Sequence, residues 1–388
     1  MKKKVLNVLT MAFMFVLLMS ILNNCKQKEP FTIKQKVCIE KKEFSTNRRL
    51  VFEATNALIN KDIISYYDAK NKKLNFSNIF KDSIILTIPL NTLDTLFEKQ
   101  NPNLFFPCYI QNFDSIYFID DINYVLYRVN QKGEIDRKWM IDKITTKDFY
   151  INLLSSFSTI YVENNLVYIA IIKKSIDFLD SKTFKNTFDS PTFLISDMNY
   201  DTLKFSKSCG NYPVFYQSEY YHSDPPSTCI DKKGRIVFSF DKDNNIYVYQ
   251  KDALVKIADA KSKFANKFNK FDFSKNQDMN YLMKYISCEA RYTNIYYDFN
   301  TNKYYRIFEH AMEQYNSENK KNEFQNKEWS IIILDETFKK IKEIEINPKN
   351  YPINLMYFLP TSKGLLLLNK QEKDSKENCY SIIDVDYD

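Results

Sequence analysis

Two histidines, His222 and His310, supply all the imidazole in a chain of 388 residues. A Ser–His–Asp or Cys–His arrangement needs one of them within reach of a nucleophile. No G-x-S-x-G or similar context stands beside either. His310 follows Glu309 and precedes Glu313, giving H-x-x-E, but zinc hydrolase motifs need a second histidine nearby. A structural or surface role is therefore expected of His310. Asp241, Asp243 and Asn245 occupy positions 1, 3 and 5 of a calcium-loop spacing, with Asp252 at position 12. That pattern wants Gly at position 6 and Glu at position 12. This chain has Ile246 and Asp252 there, and the same residues read as a hairpin turn. The pair Asp120-Asp121 reads as a turn between strands; glycosidase carboxylates are recognised by their separation in space, not by adjacency. Only four glycines are present, none close to another, so no phosphate-cradling loop exists. No catalytic, cofactor or metal residue is assigned on these grounds, and calcium is the one cofactor the spacing admits.

One loop is unusually furnished. Asn211–Pro226 holds Tyr212, Phe215, Tyr216, Tyr220, Tyr221 and His222 with few aliphatic residues. Loops on a rigid scaffold often carry binding, and tyrosine offers contact area at low entropic cost. Tyr212, Tyr216, Tyr220, Tyr221 and His222 are the candidate binding residues. The competing reading is that these rings pack over the edge of the structure beneath them.

The elements around these residues form a degenerate repeat. An aromatic-rich strand, a short polar turn and a second strand recur at Ile63–Ile79, Tyr124–Ile141, Thr192–Lys207, Asn245–Asp259 and Trp329–Ile346. β-branched and aromatic runs flanking turn-formers are β-hairpins. A further strand pair precedes each: Leu50–Asn60, Pro107–Asp120, Ser158–Lys173, Ser227–Asp241 and Thr293–His310. Four antiparallel strands repeated radially make a β-propeller. The last unit, Met356–Thr361, Gly364–Lys370 and Cys379–Asp386, has three strands, and Phe31–Glu40 is expected to supply its fourth. The prediction is an all-β, six-bladed β-propeller with four-stranded antiparallel blades, the last completed by the N-terminal strand. Blades are placed near 45–100, 104–141, 157–207, 226–260, 290–346 and 353–388. At about 61 residues each they exceed the roughly 40–45 of a compact blade. The surplus falls in the loops Asp142–Phe157, Lys174–Pro191, Ser208–Pro226, Ala260–Arg291 and Ala311–Glu328. Met279, Leu282, Met283 and Ile286 have the spacing of one helical face, so a helix capping two blades is expected there.

The N-terminus speaks to location. Lys2, Lys3 and Lys4 precede an apolar run, Val5–Ile21, which a polar stretch follows after Cys25. This describes a secretion signal and resembles that of a bacterial lipoprotein. Leu22 sits three residues before the cysteine as that pattern requires, while Asn24 replaces its usual small residue. Residues 1–24 are read as the signal peptide, Cys25 as the lipidation site, 25–30 as a short linker and 31–388 as the propeller. An uncleaved membrane helix and a soluble secreted form are the alternatives. More than one acyl chain gives stable anchoring. Six cysteines remain beyond Cys25: Cys38, Cys108, Cys209, Cys229, Cys288 and Cys379. Export would permit disulfides, but several sit in apolar strands and no C-x-x-C occurs, so mostly buried thiols are expected. Net charge is +7, falling to +4 without the first 24 residues, with both signs interspersed. Nucleic-acid binders concentrate their charge in a basic stripe, which this chain lacks.

Several segments resemble a known family: Asn112–Asp120 with Asn130–Glu134, Ile236–Tyr249, Asn294–Arg306, Ile331–Glu336 and Pro360–Leu366. It is a Bacteroidetes group of lipoproteins with a TolB-like six-bladed β-propeller, a domain of unknown function. The resemblance implies fold and location, and no activity. The expected protein is an exported monomer held to the outer membrane by lipid on Cys25, facing the periplasm or the surface. Its expected role is a non-catalytic binding or scaffold propeller for a protein, peptide or glycan. The alternative is a hydrolase or lyase whose carboxylates, with or without calcium, converge on the central channel from different blades. Fold does not choose between them.

Overall fold

The computed structural model describes residues 31–40, 62–68, 71–81, 83–90, 108–120, 122–143, 146–151, 160–174, 184–219, 221, 225–353, 358–370 and 377–384. Six small antiparallel sheets follow one another along the chain and form a six-bladed β-propeller. The second blade runs Cys108–Asn112, Ser115–Asp120, Val125–Val129, Ile135–Ile141, and the fourth Ser227–Ile230, Arg235–Ser239, Asn245–Gln250, Ala253–Asp259. The fifth is Arg291–Asp298, Lys303–Glu309, Trp329–Leu334, Lys340–Ile346. First strands of successive blades lie side by side. The Tyr161 hydroxyl meets Thr228 Oγ1 at 2.9 Å, and Ser227 Oγ accepts from the Ile295 N–H at 2.9 Å.

Burial explains the strand sequences. A middle strand is sandwiched on both faces by neighbouring blades, so it reads as an unbroken apolar run: all six residues of Trp329–Leu334 are buried. An outer strand covers one face only and alternates, as in Lys340–Ile346 (KIKEIEI). The aromatic excess goes into seams between blades, where Tyr109, Tyr161, Phe193 and Phe238 touch in series at 5.7–5.9 Å between ring centroids. Exposed outer strands need protection against pairing with other chains. On Ala253–Asp259 that is Lys256, whose Nζ reaches the Thr337 carbonyl of the next blade at 2.7 Å.

The sixth blade closes the ring as expected. Its order is Thr32–Glu40, Glu377–Asp384, Gly364–Leu368, Phe358–Thr361, from outside inward. Thr32–Glu40 pairs antiparallel with Glu377–Asp384, Thr32 opposite Asp384 and Glu40 opposite Glu377. Gly364 holds φ at +131°, and a side chain there would strike the Ile383 carbonyl, so the turn admits no larger residue.

Three details differ from expectation. Thr202–Leu203 leaves the third blade to run parallel to Met140–Ile141 of the second. Leu203 is thereby fully buried, and the blade's outer strand is the short Lys207–Cys209 instead. Phe149–Ile151, expected in a loop, pairs with Ile171–Lys173. The helix forms at Met279–Cys288, capped by the Asp278 carboxylate, but its buried residue is Tyr285 while Met279 and Met283 face outward. The aromatic partners Phe271 and Tyr281 rotate the packed face by one position. The weaker strand pair at 50–60 lies outside the described residues.

Candidate functional site: the loop-bearing end of the ring

In a four-stranded antiparallel blade, links from first to second and third to fourth strand leave at one end. The second-to-third links and the links between blades leave at the other. At the first end the described turns hold two to five residues, apart from the 198–206 excursion. At the other end stand the connections 174–192, 210–226, 260–290 and 310–328, of 17 to 31 residues. They touch one another. Phe184 and Phe273 pack at 5.3 Å, the Gln217 amide donates to the Phe188 carbonyl at 3.3 Å, and the Met312 N–H donates to the Cys288 carbonyl at 2.8 Å. Blades three, four and five thus share a continuous cover, and four of the five long loops singled out in the sequence converge there.

Of the candidate tyrosines, Tyr216 is fully buried and Tyr221 nearly so, while Tyr212 is half-buried. Their rings interlock with Phe188, Phe215 and Phe240 at 4.7–5.5 Å. The loop therefore builds the cover from within. The Tyr216 hydroxyl donates to Asp241 Oδ1 at 2.9 Å and accepts from the Lys242 N–H at 2.8 Å. Burial, then the Asp241 charge, drives its pKa well above the ordinary value. Tyr220 and His222 lie outside the described residues, as does Cys25.

The calcium-spaced acids separate. Asp241 and Asp243 sit in the turn before Asn245–Gln250, and Asp252 sits in the turn after it, at the far end of that strand. Asp243 accepts from the Asn245 N–H at 2.9 Å and the Tyr247 hydroxyl at 2.6 Å, whereas Asp252 pairs with Lys207 at 3.2 Å. Among the described residues no three His, Cys, Asp or Glu side chains gather as a metal site.

Three cations that sequence reasoning passed over lie under the cover. Lys242, buried, donates to the Ala290 carbonyl at 2.8 Å, with the rings of Phe268 and Tyr285 at 5.7 and 5.4 Å. Desolvation lowers its pKa. Arg291 grips Glu309 through two bonds of 2.9 and 3.3 Å, and Lys327 reaches the same carboxylate at 3.0 Å and the Glu289 carbonyl at 2.7 Å. Glu309 and Lys327 are fully buried, and desolvation lowers the Lys327 pKa also. A buried pair of this kind is expensive to break from one side. It ties the start of the fifth blade's inner strand to its own loop. The sequence signal was slight: single charges at strand ends look like solvated caps until the loops fold over them.

His310 is buried against the Phe264 ring at 4.1 Å, with Nε2 lacking a hydrogen-bond partner and Nδ1 3.8 Å from Glu328. Glu313, its motif partner, is exposed. Desolvation lowers the His310 pKa to about 4, with Glu343 opposing and Lys263 and Lys327 assisting. The folded protein thus keeps His310 neutral where the unfolded chain already binds a proton. Its contribution is complete above pH 6.5 and is lost as pH falls toward 4, amounting to roughly 3 kcal/mol. Urea unfolding of the native protein and His310→Gln at pH 7 and pH 4.5 measures this. The native protein should lose more stability on acidification than the variant; parallel losses would refute the assignment.

The described thiols offer no activated nucleophile. Cys108, Cys209 and Cys229 are buried and Cys288 half-buried. Desolvation raises the pKa of Cys209, Cys229 and Cys288, opposite to the shift a reactive cysteine needs. Cys379 differs from the expected pattern of thiols: it is disulfide-bonded.

Fold and cover together define a six-bladed β-propeller with one plain end and one elaborated end. The chain belongs to the DUF4221 family, a domain of unknown function, whose family pattern matches residues 97–345. It is similar to the crystal structure of a DUF4221 member from Bacteroides vulgatus, at 17% identity and TM-score 0.63, covering 92% of this chain and 99% of that one. A candidate exported protein of Bacteroides fragilis is similar at 13% identity and TM-score 0.45, covering 83% of this chain and 88% of that one. A protein of unknown function from Bacteroides caccae follows at 10% identity and TM-score 0.36, over 76% and 80% of the two chains. No curated protein matches. Likeness at such identity speaks to fold alone. Among the described residues no helix is long and apolar enough to cross a membrane.

Proposed function

We propose that this is an exported, TolB-like lipoprotein of the DUF4221 family, anchored by lipid on Cys25. Its elaborated end binds a protein, peptide or glycan without turning it over. The observation that carries the reading is the asymmetry of the ring: the long connections over blades three to five rise from one end and pack into a single cover. Such surplus at one end of a rigid scaffold supports a binding role. Val214, Met279, Met283 and Tyr315 stand exposed on it, at 77%, 62%, 51% and 50%. The disulfide at Cys379 supports export, since such bonds persist in oxidising compartments.

Two experiments test this. Cys25→Ala should release the protein from membranes; persistent tight association favours an uncleaved helix instead. For the binding role, the soluble fragment Lys26–Asp388 is screened by pull-down and glycan array beside a hydrolase panel. Val214→Asp and Met279→Glu/Met283→Glu serve as controls on the cover. Specific capture that drops tenfold or more in these variants supports the proposal. Turnover that survives purification and is lost on mutating carboxylates at the channel would replace it with the enzyme reading.

A further inference from the structure

In the ladder that closes the ring, Cys38 lies directly opposite Cys379. Cys379 is disulfide-bonded, while Cys108, Cys209, Cys229 and Cys288 remain thiols. Opposed residues of an antiparallel pair have Cα atoms about 4.5–5.5 Å apart, inside the roughly 4.4–6.8 Å that a disulfide spans. We infer that Cys38 and Cys379 are joined, and that this bond is a covalent clasp on the propeller.

Its position gives it that role. Thr32–Glu40 is the outermost strand of the last blade, and its one sheet neighbour is Glu377–Asp384. Without a covalent link, the ring is held shut along this ladder by hydrogen bonds and packing, and an edge strand frays first. A bond from Cys38 to Cys379 encloses nearly the whole propeller in one covalent loop. Cross-links closing long loops restrict the unfolded chain most in the chain-entropy account. The clasp lies two residues from the inner end of the N-terminal strand, with Ile39 and Glu40 beyond it in the ladder. On the lipid-anchor reading proposed above, a pull on the tether would fray the ladder from Thr32 and be stopped at the covalent bond, with Ile39 and Glu40 still held beyond it.

The chemistry needs an external disulfide as oxidant. Each protein thiol gives up its proton, and the electron pair passes by thiol–disulfide exchange to a donor disulfide, which leaves as two thiols. Oxidised glutathione serves in vitro, which separates this test from any question of export or ligand.

The mature chain, folded in a glutathione redox buffer, is digested without reduction and its peptides are mapped. A cross-linked peptide pair carrying Cys38 and Cys379, vanishing on reduction, supports the inference. Free thiols at both positions, or Cys379 linked elsewhere, would overturn it. The clasp is then measured by melting the protein with and without reductant beside Cys38→Ser and Cys379→Ser. Reduction should lower the native Tm by roughly 3–8 °C, and each variant should match the reduced protein and ignore reductant. If either variant fails to fold, the comparison of native protein with and without reductant decides the matter alone. An unchanged Tm would leave a bond without a clasping role and refute that part.

Discussion

Arg306→Leu is expected to cost about 4 kcal/mol of stability. The guanidinium is fully buried at the seam between the fourth and fifth blades. Nε donates to Ser239 Oγ at 2.9 Å. Nη1 donates to the carbonyls of Asn244 and Ala260 at 2.8 and 3.2 Å, and Nη2 to those of Phe240 and Asp243 at 3.2 and 2.6 Å. Its Cζ stands over the Tyr292 ring, 3.5 Å from the centroid. Desolvation lowers its pKa, with the nearby Tyr292 and the Asp243 charge opposing. Burying a charge without a carboxylate is tolerable here because five acceptors and a π-face replace its water. Leucine fills part of the space but takes the donor from the Asp243 and Ala260 carbonyls and the Ser239 hydroxyl, each worth about 1–3 kcal/mol when buried and unpaired, while the Asn244 and Phe240 carbonyls keep the N–H groups of Ala260 and Asp243. Some of that is recovered as the turn relaxes, which sets the net estimate. Arg306→Lys should recover less than half, because one ammonium cannot span acceptors spread over the turn 240–244 and Ala260. Urea denaturation measures both variants. A loss below about 1 kcal/mol for the leucine variant would mean the turn repacks without its strut.

That strut shows where sequence reading stops. The strand Lys303–Glu309 (KYYRIFE) announces itself by its aromatic and β-branched residues, and its blade, turn and neighbours were all legible. So was the ring's closure, because a last unit of three strands and an unassigned N-terminal strand complete each other. Strand periodicity reports which residues share a face, and Arg306 shares one with Tyr304 and Phe308. It does not report which carbonyls another blade brings to that face, so a buried arginine and an exposed one look alike. The same limit hid the grip of Arg291 and Lys327 on Glu309, one partner coming from the neighbouring strand and the other from the 310–328 link. For the tyrosine loop the chemistry was visible but its direction was not: a ring suited to stacking on a ligand is equally suited to stacking on Phe188 or Phe240. The calcium-like spacing misled for a simpler reason. Twelve residues spanning a strand place their first and last acids at opposite ends of a blade.

Deleting Phe31–Glu40 should lower stability by about 5 kcal/mol or more and change the protein's state of association. Phe31 is buried, meeting Tyr351 edge-on at 5.7 Å in the cluster that also holds Ile383, Leu365 and Trp329. Removing that ring alone forfeits roughly 2–3 kcal/mol. The deletion also strips the ladder from Glu377–Asp384, leaving a strand whose Ile382 and Ile383 are fully buried beside an open edge. The ion pair of Lys34 with Asp384 at 2.9 Å goes too, but it is partly exposed and counts for little. An unpaired edge is a template for another chain, so the shortened protein should dimerise or aggregate as it warms, with a Tm that depends on concentration. Supplying residues 31–40 as a peptide with Cys38 replaced by Ser should restore part of the lost Tm by filling the edge without the covalent link. Differential scanning calorimetry and size-exclusion chromatography at two concentrations distinguish the outcomes. A truncated protein that melts at the native temperature and stays monomeric would mean that the ring holds without its N-terminal strand.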